Sequence, residues 1–520
     1  MIFRTAELGS KISKSEYKQR EPALRQALLE AQAALRESGE FPVIVVFAGV
    51  DGAGKGATVN LLNEWMDPRW LVTRAYAEPS EEERERPEFW RYWRDLPAYG
   101  RIGFFLSSWY SQPLLERAYR KTEIAQFTAR LDRINAFENA LAADGAPVLK
   151  FWMHLSKEAQ KRRLNTLEKD PLTRWRVTER DWKHWEIYDK FLEAAEYTIM
   201  RTSTGTAPWT VIEGEDANYR SLTVGTLLRD AVNKQLEAVR LEKEVKARLR
   251  VRDVQSPVIV GEAHAGEARS AGAAEGRPDI PSTMTVLNSL DMTKHLAKAG
   301  YQKQLKACQA KLNQLHRKAK EQKVSTILVF EGPDAAGKGG AIRRVTAALD
   351  ARSFQVLPVA APSDEERARH YLWRFWRHLS RAGRMTIFDR SWYGRVLVER
   401  VEELASEQEW QRAYAEINDF EAQLIDHGIV LAKYWIHITK DEQLARFKAR
   451  EQTPYKRWKL TDDDWRNREK WLEYELAAND MVQHTSTRSV PWTLVEGNDK
   501  RYARIKIIND LCDKLQKALK

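Results

Sequence analysis

Cysteine is almost absent from this 520-residue sequence, which contains only Cys308 and Cys512. Two cysteines so far apart make neither a disulfide framework nor the paired spacing of a zinc site. No apolar run approaches the roughly 18 to 20 residues that span a bilayer. The first twenty residues also lack the apolar core and small-residue cleavage site of a secretory signal. We therefore expect a cytoplasmic protein without a membrane span.

Basic residues outnumber acidic ones, with 85 Lys and Arg against 74 Asp and Glu, a net charge of +11 and a pI near 9.3. This excess favours a polyanionic partner, which leaves nucleic acid, an anionic membrane surface and a phosphate polymer open. Hydrophobic residues make up 43% and charged residues 31% of the chain, as in globular proteins. The length exceeds what one hydrophobic core supports, so we expect at least two domains.

The sequence repeats itself at a constant offset of 283 residues. Gly54 and Gly337 show this offset, and so do four further pairs: Lys55 and Lys338, Trp109 and Trp392, His154 and His437, and Trp209 and Trp492. The repeat predicts two copies of one domain, residues 1–257 and 283–520. Between them, residues 258–282 are rich in Ala, Gly and Glu without an apolar period, which is typical of a flexible linker.

Within each copy, short apolar runs alternate with longer, charged, helix-forming segments. In the second copy these runs cover residues 325–330, 354–360, 385–389, 429–438 and 492–497. Apolar strands that alternate with helices predict an α/β domain, a mostly parallel sheet covered by helices on both faces. Ligands of such a domain bind at the carboxyl ends of the strands.

Each copy contains a phosphate-binding loop between a predicted strand and a predicted helix. The second loop, "GPDAAGKG", includes Gly332, Gly337, Lys338 and Gly339, and the first reads "GVDGAGKG". Such glycines let successive N–H groups point at phosphate oxygens, and the lysine adds a mobile cation.

The residue after the lysine departs from the usual P-loop pattern. Gly339 and Gly56 occupy the position of the Ser or Thr that ligates Mg²⁺ in common P-loop nucleotidases. Another group must therefore hold the metal, and the carboxylates inside the loops, Asp334 and Asp51, are the nearest candidates.

A second acidic group is expected at the end of a neighbouring strand, and the segment "IFDRSWYGRVLVER" (387–400) supplies it. Asp389 ends an apolar strand, and Arg390, Arg395 and Glu399 follow. Carboxylates with guanidiniums suit a reaction whose charge spreads over phosphoryl oxygens. An acidic helix cap beside solvated arginines remains the alternative.

Two further segments are rich in cations. "TPYKRWKLTDDDW" (453–465) places Lys456, Arg457 and Lys459 around a tryptophan, which predicts a lid over phosphates or a basic, exposed helix face. In "YLWRFWRHLSRAGR" (371–384), Arg374 and Arg377 are candidates for a polyanion track, while we expect the tryptophans to belong to the core. His154 and His437, on apolar strands, are interpreted as core histidines.

The motifs "FEGPDAAGKGG", "FDRSWY", "KYWIHIT", "KRWKLT" and "PWTLVEGNDKRYAR", in this order, resemble the family-2 polyphosphate kinases, P-loop enzymes related in fold to thymidylate kinase. The resemblance covers the second copy and, more weakly, the first. The tandem arrangement is similar to the two-domain class of that family, the polyphosphate:AMP phosphotransferases. It implies AMP as acceptor, inorganic polyphosphate as donor, ADP as product and Mg²⁺ as cofactor.

The resemblance also implies roles for individual residues. Asp334 would orient or activate the acceptor phosphate through the metal, and Lys338 would bind phosphate. Asp389 would coordinate Mg²⁺ with help from Glu399. Three cations would stabilise the transferring phosphoryl group: Arg390, Lys456 and Arg457.

Column by column, the first copy keeps the cradle and loses the charged groups. Leu106, Ser107, Gln112 and Thr173 stand where the second copy has Asp389, Arg390, Arg395 and Lys456, whereas Asp51, Lys55, Glu116 and Arg174 remain. Such losses cost several kcal/mol of barrier lowering, on the order of that measured for single catalytic groups. We expect a catalytically silent first domain that serves as a structural partner or a polyphosphate platform, unless it has a different active site.

Other functions remain open at this point. Phosphorylation of ADP or GDP by polyphosphate would need the same groups as phosphorylation of AMP. A nucleic-acid-binding protein would explain the charge, although no common nucleic-acid-binding motif is present. A P-loop ATPase or GTPase switch would explain the loops but not the missing Ser or Thr. A fused copy would also replace a second subunit if subunits pair through one face, and a homodimer of the whole chain remains open.

Overall fold

A computed structural model describes residues 2–255, 285–453 and 462–520. The segment predicted as a linker, 258–282, lies outside these ranges. So do the predicted lid cations Lys456, Arg457 and Lys459. The helix after the predicted lid begins with acidic residues at Asp462, as its sequence predicts.

Within the described residues, ten strands form two five-stranded sheets, one in each half of the chain. The strands of the first half are β1 (Val43–Gly49), β2 (Leu71–Ala75), β3 (Ile102–Leu106), β4 (Val148–His154) and β5 (Trp209–Glu213). Those of the second half are β6 (Thr326–Glu331), β7 (Phe354–Pro358), β8 (Met385–Asp389), β9 (Val430–His437) and β10 (Trp492–Glu496).

Helices follow or precede every strand. In the first half they are α1 (Lys14–Ser38), α2 (Lys55–Trp65), α3 (Glu81–Arg84), α4 (Trp90–Arg94), α5 (Ser111–Ala118), α6 (Ile124–Ala143), α7 (Lys157–Lys169), α8 (Glu179–Glu186), α9 (Tyr188–Thr202) and α10 (Ala217–Gln255). In the second half they are α11 (Lys298–Glu321), α12 (Lys338–Thr346), α13 (Asp364–Arg367), α14 (Trp373–Trp376), α15 (Val398–Val401), α16 (Glu407–Asp426), α17 (Lys440–Glu451), α18 (Asp462–Glu469), α19 (Trp471–Thr485) and α20 (Lys500–Ala518). None of those in the described ranges combines the length and hydropathy of a bilayer span.

The two sheets have the same strand order, which confirms the predicted duplication. The order is β2-β3-β1-β4-β5 in the first half and β7-β8-β6-β9-β10 in the second, and every pairing is parallel. The central strand of each sheet, β1 or β6, ends in the phosphate-binding loop. The two strands beside the central strand continue into segments that run to opposite sides of it. A crevice for ligands therefore opens at this edge of the sheet.

Alternate residues of the central strands enter two different core layers, as a sheet covered on both faces requires. Val43, Val45 and Phe47 of β1 pack with α1, α2 and α10. Ile44 and Val46 point to the other face, toward α5, α6 and α9. The predicted α/β class is therefore confirmed for both halves.

One apolar core runs from the first half into the second. Trp93 and Trp376 occupy the same column of the repeat, and their rings stack across the junction with centroids 6.0 Å apart and planes at 12°. Arg381 forms an ion pair with Glu85 at 2.5 Å. The tryptophans of residues 371–384 are thus core residues, as predicted, and Trp376 belongs to the contact between the halves.

A buried lysine–glutamate pair lies below the carboxyl edge of each sheet. In the second half Lys433 donates to Glu421 at 2.7 Å, and Glu421 also accepts from Trp392 and Tyr393. Both charged side chains are 98% or more buried. The first half repeats this network with Lys150 and Glu138 in the same columns.

We predict that Lys433→Met lowers the free energy of unfolding of the second half by about 3 kcal/mol, because it leaves the buried Glu421 carboxylate uncompensated. Urea unfolding followed by tryptophan fluorescence measures this loss. Lys311→Met is the matched control, since Lys311 pairs with Asp513 at the surface and should change stability by less than about 1 kcal/mol. Equal effects of the two substitutions would contradict the prediction.

Candidate active site

Both phosphate-binding loops have the same backbone conformation. Gly332, Ala335 and Gly337 have φ values of 142°, 61° and 113°, and their three counterparts in the first half are also left-handed. A Cβ on Gly332 would lie 2.4 Å from the carbonyl oxygen of Ile436, so only glycine fits against β9. This conformation turns successive N–H groups toward the crevice, as phosphate binding requires.

Two side chains of α17 hold the second loop from below. Arg446, which is buried, donates to the carbonyl oxygens of Ala335 and Ala336 at 2.9 and 2.8 Å and to that of Gly497 at 2.6 Å. Gln443 donates to the carbonyl oxygen of Asp334 at 3.1 Å. These bonds fix the loop before any ligand arrives. The sequence interpretation missed both residues, although arginine and glutamine recur at the same columns of the first copy.

Lys338 begins α12 and folds back on the loop. Its Nζ donates to the carbonyl oxygen of Gly332 at 2.6 Å. Burial lowers the pKa of Lys338, and nearby Arg390 lowers it further, while Asp334, Asp389 and Glu331 oppose this effect. Three carboxylates thus surround one ammonium at the place where phosphate would bind.

Asp334, inside the loop, is held from two sides. Its Oδ1 accepts a hydrogen bond from Arg390 Nη2 at 2.8 Å, and its Oδ2 accepts one from Asn467 Nδ2 at 2.8 Å. Burial alone would raise the pKa of Asp334, but Lys338 and Arg390 outweigh it and hold the pKa below its usual range. The carboxylate is therefore ionised at neutral pH. Asn467, which lies 133 positions away, is another site residue that the sequence interpretation missed.

Asp389 ends β8 directly beside the loop. It pairs in register with Phe330, the penultimate residue of β6, and a Cβ on Gly339 would lie 4.0 Å from its Oδ2. Arg390 follows with a left-handed φ of 63°, and its N–H donates to the carbonyl oxygen of Phe330 at 3.1 Å. This turn aims the guanidinium back at the loop. The structure thus brings together Asp334, Lys338, Asp389 and Arg390.

Glu331 is a third acidic group at the same edge, and the sequence interpretation missed it. Its side chain is 4% exposed and accepts a hydrogen bond from Ser391 Oγ at 2.8 Å. Burial raises the pKa of Glu331, against the opposing effect of Lys338. Ala48 occupies the corresponding position of the first half. This difference between the two copies could have identified Glu331 from the sequence.

Other predicted site residues lie farther out. Arg395 forms an ion pair with Glu399 at 3.1 Å. Arg374 and Arg377 turn toward Glu366 and Glu365 at 3.4 and 3.0 Å. The role of Glu399 as a metal ligand stays a prediction, and so does the role of Arg374 and Arg377 in a polyanion track.

His437, which is 8% exposed, lies on β9 beside the loop. Burial lowers the pKa of His437 to about 4, so its imidazole is neutral at pH 7. This state fits the interpretation of a core histidine.

No group of three or more His, Cys, Asp or Glu side chains that could hold a metal ion occurs in the described part of the chain. The predicted ligands Asp334, Asp389 and Glu399 therefore do not form a three-residue cage. Mg²⁺ commonly takes only one or two protein carboxylates and completes its shell with water and substrate phosphates. The ionised Asp334 and the neighbouring Asp389 fit that donor set.

The first half has the same frame around a different set of side chains. Leu106 pairs with Phe47 in the register that Asp389 has with Phe330, so the column comparison holds in three dimensions. Ser107 keeps the left-handed turn, with φ 47°. Asp51 accepts a hydrogen bond from His184 Nδ1 at 2.6 Å, in the column of Asn467.

The sequence pattern of polyphosphate kinase 2 matches residues 11–240 and 295–520. The chain belongs to the polyphosphate kinase 2 family. Both halves are therefore copies of the family's domain. Curated relatives named polyphosphate:AMP phosphotransferase include one from Pseudomonas aeruginosa, 47% identical over 100% of this chain and 99% of its own length. Another, from Acinetobacter johnsonii, is 37% identical over 95% of this chain and 96% of its own length.

A solved crystal structure shows the same architecture. A protein of Pseudomonas aeruginosa PA01 assigned to polyphosphate kinase 2 superimposes with a TM-score of 0.85 at 45% identity, over 99% of both chains. The arrangement of two family domains in one chain is therefore also present in that crystal structure.

We predict that Arg446→Met speeds amide hydrogen exchange in residues 334–339 about tenfold, because the loop carbonyls lose their buried donor. Exchange followed by mass spectrometry measures the protection of this peptide. Lys448→Met, at an exposed position of the same helix, should leave it unchanged. Full protection in the Arg446 variant would show that the loop does not depend on this arginine.

Proposed function

We propose that this protein transfers a phosphoryl group from inorganic polyphosphate to AMP and releases ADP, and that the second half performs the reaction. An oxygen of the AMP phosphate forms a bond to the terminal phosphorus of polyphosphate. The anhydride bond behind that phosphorus breaks, and the polymer leaves one phosphate shorter. The names of the full-length relatives support the substrates.

One observation carries the assignment to the second half: two carboxylates, a lysine and an arginine converge there at one edge of the sheet. Asp334 and Asp389 belong to two adjacent elements, and Arg390 contacts Asp334 at 2.8 Å. The corresponding edge of the first half has Leu106 and Ser107. A leucine binds no metal and a serine offsets no anionic charge, so the first half lacks the means of transfer.

The side chains of the second half have separable roles in this proposal. The loop N–H groups and Lys338 bind the phosphates, and Lys338 exchanges its bond to the carbonyl oxygen of Gly332 for one to a phosphate oxygen. Arg390 neutralises charge on the transferring group. Asp334, Asp389 and Glu331 favour the protonated form of Lys338 against the effect of burial, since neighbouring carboxylates stabilise the ammonium.

Mg²⁺ is the proposed metal, with Asp389 and Asp334 as its carboxylate ligands and Glu399 as a predicted third. When bound, the ion would neutralise phosphate charge between donor and acceptor. Asp334 is poised for this role because its carboxylate is ionised and fixed by Asn467. Lys456 and Arg457 remain the proposed partners of Arg390 at the transferring phosphoryl group. Arg395, Arg374, Arg377 and Lys459 remain the proposed cations for the polymer chain. We propose that the reaction takes place in the cytoplasm.

The first test is ADP formation from AMP, polyphosphate and Mg²⁺ by the full-length protein. We predict that Asp389→Asn lowers kcat at least a thousandfold, on the order of the loss of a catalytic charge. Asp51→Asn changes the first-half counterpart of Asp334, since the counterpart of Asp389 is Leu106, and it should keep more than half of the activity.

The pattern of losses distinguishes the alternatives. Equal losses in both variants would contradict a silent first half. An absence of ADP from AMP, together with formation of ATP from ADP, would show that a nucleoside diphosphate is the acceptor instead. DNA binding without any phosphotransfer would overturn the enzymatic assignment.

A further inference from the structure

The first half contains a large cavity at its phosphate-binding loop. Its volume is about 640 Å³. Its lining includes Asp51 and Lys55 of the loop, Ser107 and Ser108 after β3, and Tyr119. Mononucleotides and short phosphate chains fit a cavity of this size, since small-molecule sites commonly measure about 300 to 1,000 Å³.

The sequence differences that we expect to make this half catalytically inactive also remove negative charge from the surroundings of its loop. Ala48 replaces Glu331 and Leu106 replaces Asp389, so two of the three carboxylates around the lysine are gone. The third carboxylate is that of Asp51. Its Oδ1 lies 3.6 Å from Lys55 Nζ, and its Oδ2 accepts a hydrogen bond from His184 Nδ1 at 2.6 Å. Elsewhere in the lining, the carboxylates of Glu78, Glu116 and Asp181 are matched in number by the cations Arg91, Lys121 and Arg180. The loss of the two carboxylates nearest the lysine therefore favours an anion at the intact loop.

A buried hydroxyl at the same edge lacks a hydrogen-bond partner. Ser108 is 2% exposed, lines the cavity, and its Oγ has no partner among the described residues. Its counterpart Ser391 donates to Glu331 at 2.8 Å, and Ala48 has removed that acceptor from the first half. A buried donor without an acceptor is unfavourable, and an oxyanion bound at the loop would satisfy it.

From the open cavity, the reduced negative charge and the unpaired Ser108 hydroxyl, we propose that the first half is a binding site for a phosphate oxyanion and that it works without a divalent cation. The ligand is the terminal phosphate of a nucleotide or of a polyphosphate chain. Lys55 and the loop N–H groups bind the oxygens, and Ser108 donates to one of them. Because Leu106 and Ser107 replace the catalytic pair, the ligand is held and not converted.

Isothermal titration calorimetry in EDTA tests this site apart from catalysis. The full chain carries Lys338→Ala to weaken binding at the second loop, and the probes are AMP, ADP and tripolyphosphate. We expect one metal-independent site per chain. Adding Lys55→Ala should weaken binding at least tenfold, and adding Lys311→Ala, a distant charge removal, should not.

Ala48→Glu is the sharper variant, because the second half shows that the fold holds a glutamate in this column. It should weaken binding at least tenfold while the melting temperature without ligand stays within a few degrees. ADP binding tenfold tighter than tripolyphosphate identifies a nucleotide, and comparable binding of both identifies a polyphosphate end. Absence of binding in EDTA, binding only with Mg²⁺, or binding unaffected by both Lys55→Ala and Ala48→Glu would overturn the proposal.

Discussion

The buried pair of Lys433 and Glu421 is the interaction on which the rest of the site depends. Glu421 accepts hydrogen bonds from Trp392 and Tyr393, which follow Arg390 of the Asp389–Arg390 turn by two and three residues. A charge pair taken out of water is held in one arrangement, because each alternative leaves a charge without a partner. These hydrogen bonds connect the end of β8 to β9 and α16. The Asp389–Arg390 turn, which carries the proposed chemistry, is therefore held in a fixed position.

The first half preserves this network but lacks the charged side chains above it. Glu138 and Lys150 repeat the buried pair, while Leu106 and Ser107 stand in the columns of Asp389 and Arg390. Because Trp93 and Trp376 stack within one shared core, the first half stabilises the second whether or not it reacts. A fused copy provides this contact at high effective concentration, as a second subunit would. Stability alone would explain why the buried pair of Glu138 and Lys150 is retained. The cavity at the first loop supports the use proposed for that loop, the binding of a phosphate oxyanion.

The constant offset, the apolar runs and the two loops made the architecture predictable, and both sheets confirm it. Asp334, Lys338, Asp389 and Arg390 were predictable because each lies in a loop or at a strand end that must face the crevice. Glu331 was missed because one acidic residue after an apolar strand resembles an ordinary strand end. Asn467 and Arg446 reach the loop from α18 and α17, and sequence spacing carries no information on contacts of that kind.

In this proposal one frame, used twice, carries a metal-dependent site only where both carboxylates are present. A crystal structure of the full chain with Mg²⁺ and polyphosphate, without nucleotide, would test it. We expect a metal ion bound by Asp389 and by phosphate oxygens in the second half and none beside Leu106 in the first. A metal ion held at Asp51, or a second half that binds polyphosphate with no metal at Asp389, would contradict it.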